Sequence, residues 1–172
     1  METTWMCILL TMALTVALIT DYSTHRIPNW LTLGLLVAAV IAQGLADQWS
    51  GLLSALAGAC VGLLCFLPLH IFGAMGAGDV KLMGAVGAVL GPQPALIAVL
   101  ATLVFGGVIA LVFIGLKGGL GQMARRYARM ATLVAQRQPA YLAPASAEPA
   151  AQRIPYALAI ASGALFALWS LA

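Results

Sequence analysis

Gly76-Ala77-Gly78-Asp79-Val80-Lys81 places an acid and a base between glycines in a chain that is otherwise apolar. How this stretch is read decides how the flanking helices are drawn. The apolar run after it, Val80 to Leu90, would reach only about 16 Å as a helix, roughly half a hydrocarbon core. It must therefore borrow residues from the motif. Either a helix starts near Phe72 and carries Asp79 within the bilayer, or an irregular glycine-rich segment dips in and the helix begins at Asp79. Non-helical backbone at membrane depth survives only where protein buries it or a wet cavity receives it, so the second option implies an aqueous site. A lone carboxylate there is costly unless paired or neutralised. The one other acid in a comparable setting is Asp21, at the far end of the first apolar segment.

Composition fixes the medium. Of 172 residues, 63% are hydrophobic and 8% charged, against about a quarter charged in soluble domains. With a mean hydropathy of +1.03, the chain reads as an all-α polytopic membrane protein. Its length accommodates roughly six spans of about 20 residues in one bundle, residues 1–172 forming a single domain. Met1 to Thr20 lacks a basic n-region and reads as a retained first helix rather than a cleaved signal. Cys7, Cys60 and Cys65 lie in apolar segments without a Cys-x-x-Cys pair and read as small buried hydrophobes.

The first run, about Trp5 to Thr20, stops at the polar cluster Asp21-Tyr22-Ser23-Thr24-His25-Arg26-Ile27-Pro28-Asn29. Pro28 forbids a helix through Arg26 and Ile27. A second run, about Trp30 to Ala46, ends at Asp47-Gln48-Trp49-Ser50. The third, about Leu52 to Ile71, carries Ser54, Gly58 and Gly62 on one face, a stripe of small residues that admits a close helix. Gly91-Pro92-Gln93-Pro94 turns the chain after the fourth run. The fifth is about Ala95 to Leu116 and the sixth about Pro155 to Ala172. Between them Met123, Tyr127, Met130 and Val134 recur opposite Arg125, Arg126 and Arg129, the pattern of a cationic helix on an anionic surface or of a cap on the bundle. Gln138 to Gln152, with Pro139, Pro144 and Pro149, reads as a tether.

All eight basic residues, Arg26, Lys81, Lys117, Arg125, Arg126, Arg129, Arg137 and Arg153, fall in or beside the connections after spans one, three and five. Basic loops stay cytoplasmic, which puts both termini outside and places the amphipathic helix between spans five and six on the cytoplasmic side. Asp21 and Asp79 then lie at similar depth on that side.

Two carboxyls within a few ångströms share one proton, which supplies a base for water and an acid for a carbonyl oxygen with no metal or nucleophilic side chain. Singly, Asp21 reads equally as a polar span end and Asp79 as a helix cap. Gly76 and Gly78 leave backbone open to an extended peptide, and Lys81 either stabilises negative charge or snorkels to headgroups. His25 and His70 lack ligand-spaced neighbours, no cofactor or metal is called for, and no phosphate loop, dinucleotide motif or serine elbow is present. Nucleotide chemistry and nucleic-acid partners are not indicated. The competing class is a small proton-coupled transporter or channel subunit with Asp21 and Asp79 as a relay, although no inverted repeat is evident.

These residues resemble the type IV prepilin leader peptidases, membrane aspartyl proteases with a G-x-G-D motif. Asp21 followed by Arg26-Ile27-Pro28-Asn29 is similar to the family's first motif, and Gly76-Ala77-Gly78-Asp79-Val80-Lys81-Leu82 to its second. A weaker likeness begins at Ile154-Pro155-Tyr156-Ala157, where relatives carry Pro, Phe or Tyr, then Gly. The resemblance implies Asp21 and Asp79 as the catalytic pair, with Arg26, Pro28, Asn29, Gly76, Gly78 and Lys81 binding substrate or shaping the site. It implies prepilin or pseudopilin precursors as substrates, cut at the cytoplasmic face of a bacterial inner membrane after a basic leader, with the lipid bilayer and pilus assembly machinery as partners. Ser23 stands where many relatives have Arg, and Ala157 where Gly is usual. The paired cysteines of the larger, N-methylating members are missing, so peptidase activity alone is expected, as in the short enzymes of tight-adherence (Flp-type) pili.

Overall fold

A computed structural model of the chain describes residues 2–24, 26–72, 75–118, 120–136 and 156–170. Among these residues the regular structure is helical throughout: α1 (Glu2–Thr24), α2 (Asn29–Ile71), α3 (Ala77–Leu90), α4 (Pro92–Leu116), α5 (Leu120–Ala135) and α6 (Ala157–Trp169). Three helical stretches are long and apolar enough to cross a bilayer, Trp5–Thr24, Asn29–Ile71 and Pro92–Leu116. Large apolar side chains such as Ile8, Leu33, Leu64 and Val104 face outward, as they do where lipid rather than water surrounds the protein. The chain is a multi-pass membrane protein.

At 43 residues, α2 would extend about 65 Å if straight, twice a hydrocarbon core. It is broken at Asp47 (φ −122°, ψ 17°) and Gln48 (φ 52°, ψ −125°), the polar cluster read as the end of the second run. Contacts with α3 show that the two arms run in opposite directions. In the first arm Asn29 meets Lys81 and Gln43 meets Ala88 and Val89. In the second, Gly58 meets Gly87 and Gly62 meets Met83. The arms of α2 therefore form a hairpin around α3, which is buried continuously from Leu82 to Leu90.

The small-residue stripe is the seam of that hairpin. A Cβ at Gly58 or at Gly87 would run into the other's carbonyl oxygen, and one at Gly62 into the Met83 carbonyl, so the two backbones touch without intervening side chains. The seam ends at Gly91, whose φ of 80° suits glycine and releases the chain into α4 at Pro92.

Several boundaries differ from the sequence expectation. The helix predicted to stop at Thr20 continues through Asp21 to Thr24, and the hydroxyls of Ser23 and Thr24 bond back to Ile19 O and Thr20 O, each at 2.7 Å, rather than to solvent. Polar residues that read as loop thus line one more turn of helix. Neither option for the fourth run holds as stated. The helix begins at Ala77, between Phe72 and Asp79, after non-helical Met75 and Gly76. The cysteines expected to be buried are all exposed, since in a bilayer apolar character does not distinguish a lipid-facing position from a packed one. The 138–152 tether lies outside the described residues, as do the side chains of Met123, Tyr127 and Val134.

By internal contacts the chain forms two units, Met1–Gly106 with Pro155–Ala172, and Gly107–Ile154. The first holds the hairpin, α1 and α6, with a core that includes Leu10, Leu14, Leu35, Phe66, Val86 and Ile160. Within it Thr102, fully buried, donates to Ala98 O at 2.6 Å, and Gly163 of α6 lies directly against its hydroxyl. The second contains the end of α4 and α5, on which Arg125 and Arg129 are exposed.

Candidate active site

Three helix ends meet in the first unit. The buried stripe of α1 runs Leu10, Ala13, Leu14, Ala17 and then Asp21, at the three- and four-residue spacing of one helix face. The same periodicity that buries leucines thus turns a carboxylate inward. Asp21 is 8% exposed, and its Oδ2 accepts the Ala157 N–H at 3.1 Å. That N–H is one of the donors the first turn of α6 leaves without an intrahelical acceptor, so the partial positive charge of the helix start faces the carboxylate.

Asp79 occupies the third position of α3 and accepts the N–H of the N-cap residue Gly76 through Oδ2 at 3.2 Å. A Cβ at position 76 would sit 3.0 Å from that oxygen. Asp79 lies within electrostatic reach of Asp21, and the phenol of Tyr156 within that of Asp79. The structure therefore brings together the two acids read from sequence, one from the end of α1 and one from the start of α3, with α6 closing the third side.

The remaining predicted residues lie on the segments that flank this pair in sequence. Pro28 caps α2 and its carbonyl accepts Leu31 N–H at 3.1 Å. Ile27 lies against Gly78, where a Cβ would come 3.2 Å from the Ile27 Cβ, so a side chain already occupies the space that glycine leaves. Lys81 Nζ donates to Asn29 Oδ1 at 2.9 Å. Arg26 is exposed and its carbonyl accepts the Thr24 hydroxyl at 3.2 Å. His25 lies outside the described residues. His70 Nδ1 is 3.0 Å from Met75 O, a contact that holds the chain between α2 and α3. Among the described residues no cluster of three or more His, Cys, Asp or Glu is placed to hold a metal.

Two participants were not selected from the sequence. Tyr156 is half-buried, with its ring against the space left by Gly106 of α4, and the Ala157 N–H belongs to the backbone. The signal available was the proline–tyrosine pair opening the last apolar run, which equally describes an interfacial anchor.

A multi-pass helical membrane protein with two carboxylates converging from separate helices is the class that fold and site define. The type IV leader peptidase family model matches residues 8–111, more than half the chain and both acids, and the chain belongs to that family. Membership implies a protease. Tyr156 lies beyond the match. No curated protein and no solved structure matches the chain.

Proposed function

We propose that the chain is a membrane aspartyl endopeptidase that removes the basic leader from type IV, Flp-like prepilins. Asp21 and Asp79 share one proton, and the ionised member withdraws a proton from water. The water oxygen then bonds to the scissile carbonyl carbon as the protonated member donates to the carbonyl oxygen. The resulting gem-diol collapses, and the departing amine takes a proton as the C–N bond breaks. The observation that carries this reading is the convergence of the two acids across 58 positions of sequence, on helices from different parts of the chain, in a member of a peptidase family.

The same reading places six crossings in an inner membrane, counting the two arms of α2 separately and including the short α3 and α6. At 14 and 13 residues these two reach about 20 Å, less than the hydrocarbon thickness. Their N-termini, bearing Asp79 and Tyr156, then lie at the floor of a depression through which water and an extended peptide arrive from the cytoplasmic side.

The deciding experiment incubates purified, reconstituted protein with candidate precursors and measures the product's new N-terminus by mass. A single cut after the basic leader is expected, and intact precursor throughout would refute the assignment. Single cysteines replacing Ser23 or Ala145 in a background without Cys7, Cys60 and Cys65 should be labelled from the cytoplasmic side only, and labelling from outside would invert the arrangement.

A further inference from the structure

The bond between Lys81 and Asn29 joins the two motif-bearing segments directly. Asn29 opens α2 immediately after the turn at residues 26–28, and that turn follows the helix bearing Asp21. Lys81 is two residues past Asp79 on α3. Asp79 is thus two residues of chain from one end of this 2.9 Å hydrogen bond and Asp21 eight from the other. Beside it Ile27 packs on Gly78, so the turn is fastened to the start of α3 at two points.

The chemistry of the bond is informative. The Lys81 ammonium, two residues past Asp79 in sequence, is held here by a neutral amide oxygen. Both residues are exposed, where holding a long side chain in one geometry carries an entropic cost. Lys81 and Asp79 share the helical frame of α3, whereas the turn at 26–28 that leads from α1 into Asn29 has no helical ladder of its own. The bond ties that turn to the helix that carries Asp79.

We propose that Lys81 and Asn29 are a positioning pair whose hydrogen bond holds the α1–α2 turn against the start of α3 and so sets the separation of Asp21 and Asp79. Lys81 acts through geometry and not through its charge on the reaction. This role rests on the peptidase reading for its kinetic consequence but not for its structural one. A misplacement of about 1 Å in a catalytic group costs on the order of 100-fold in rate, so loss of the bond is expected to lower kcat by about 10- to 100-fold.

The test is a double-mutant cycle on the full chain in vesicles, with Lys81→Met, Asn29→Leu, their combination, and Asn29→Asp, which keeps the acceptor. Each single variant should lose kcat with little change in KM, the double should be no worse than the poorer single, and Asn29→Asp should stay near wild type. The two single variants should share one pH–rate profile. Additive losses, a profile displaced in Lys81→Met alone, or an effect confined to KM would overturn the proposal, pointing to a direct charge or a substrate contact. A second measurement needs no substrate. With the native cysteines replaced, Ile27→Cys and Gly78→Cys bring two thiols to disulfide range. Their rate of cross-linking should fall at least about fivefold on adding either Lys81→Met or Asn29→Leu, and an unchanged rate refutes the pair. If wild-type protein cuts no precursor the peptidase reading fails, while the cross-linking rate still judges the bond.

Discussion

The two ends of α3 are held in opposite ways. At its C-terminal end the backbone of α3 lies directly on that of α2 through Gly58, Gly62 and Gly87, and Gln43 donates from Nε2 to Ala88 O at 2.7 Å and Val89 O at 2.9 Å. Those carbonyls belong to the last turn, which has no intrahelical donors to offer them, and a bilayer supplies none. At its N-terminal end, side chains make the attachments: Asn29 to Lys81, Ile27 over Gly78, and Asp79 to its own cap. Backbone against backbone leaves little room to adjust, whereas side-chain ties leave a surface that a substrate can reach. One end fixes where α3 lies, and the other presents a carboxylate from it.

That contrast predicts that charge-removing changes at the site end will destroy activity and spare the fold. Asp21→Asn and Asp79→Asn should each lower precursor cleavage by about 10³-fold or more while the protein accumulates in membranes and melts near the wild-type temperature. Cleavage near the wild-type rate in either variant would end the two-carboxylate mechanism. A proton relay, by contrast, would show no precursor cleavage in the parent.

At the seam the outcome reverses. In Gly87→Ala the new methyl meets the Gly58 carbonyl, a backbone atom that cannot swing aside as a side-chain tip would. The cost should be about 1–3 kcal/mol or above, as for overpacked cores. It should be read as a lowered thermal midpoint in detergent, with activity lost only in proportion to folded protein. A midpoint unchanged from wild type would show that α2 and α3 are not in backbone contact.

Gln43→Leu sharpens the same point with a smaller effect. Removing the amide leaves Ala88 O and Val89 O without that donor in a buried position, which costs about 1–3 kcal/mol. Gln43→Glu should be worse than Gln43→Leu, because a carboxylate replaces the donor with an acceptor facing two carbonyls. If the two variants are equally stable, Gln43 fills space and does not cap.

Which parts of this were legible in the sequence follows from what each residue costs in hydrocarbon. Asp21 and Asp79 stood out because an ionisable group in an apolar run demands a partner, and the proline and glycine signals marked the turns flanking them. The Ser54-Gly58-Gly62 spacing was legible because close packing needs small residues on one face, although its partners, Gly87 and Gly91, were not. Gln43 passed unremarked, since one amide in an apolar run gives no indication of which carbonyls it will meet. The final turn of α1 was misread because serine and threonine suit a loop as well as a helix end whose carbonyls they bind. The Asn29–Lys81 bond could not be found from spacing, because it joins positions 52 apart.

Tyr156 gives the smallest of these effects and probes the site end from its third side. Its ring occupies the space opposite Gly106, and its phenol lies in the field of Asp79. A role for the ring as a wall on this flank of the site predicts an effect that depends on its volume. Tyr156→Phe should therefore retain cleavage within about threefold, and Tyr156→Ala should lose about 10-fold, a difference on the order of 1 kcal/mol in the barrier. Gly106→Ala, which displaces the ring edge by a few tenths of an ångström, should fall between them. Equal losses in Tyr156→Phe and Tyr156→Ala would transfer the role from the ring to the hydroxyl, and a fully active Tyr156→Ala would leave α6 contributing only the Ala157 N–H that holds Asp21.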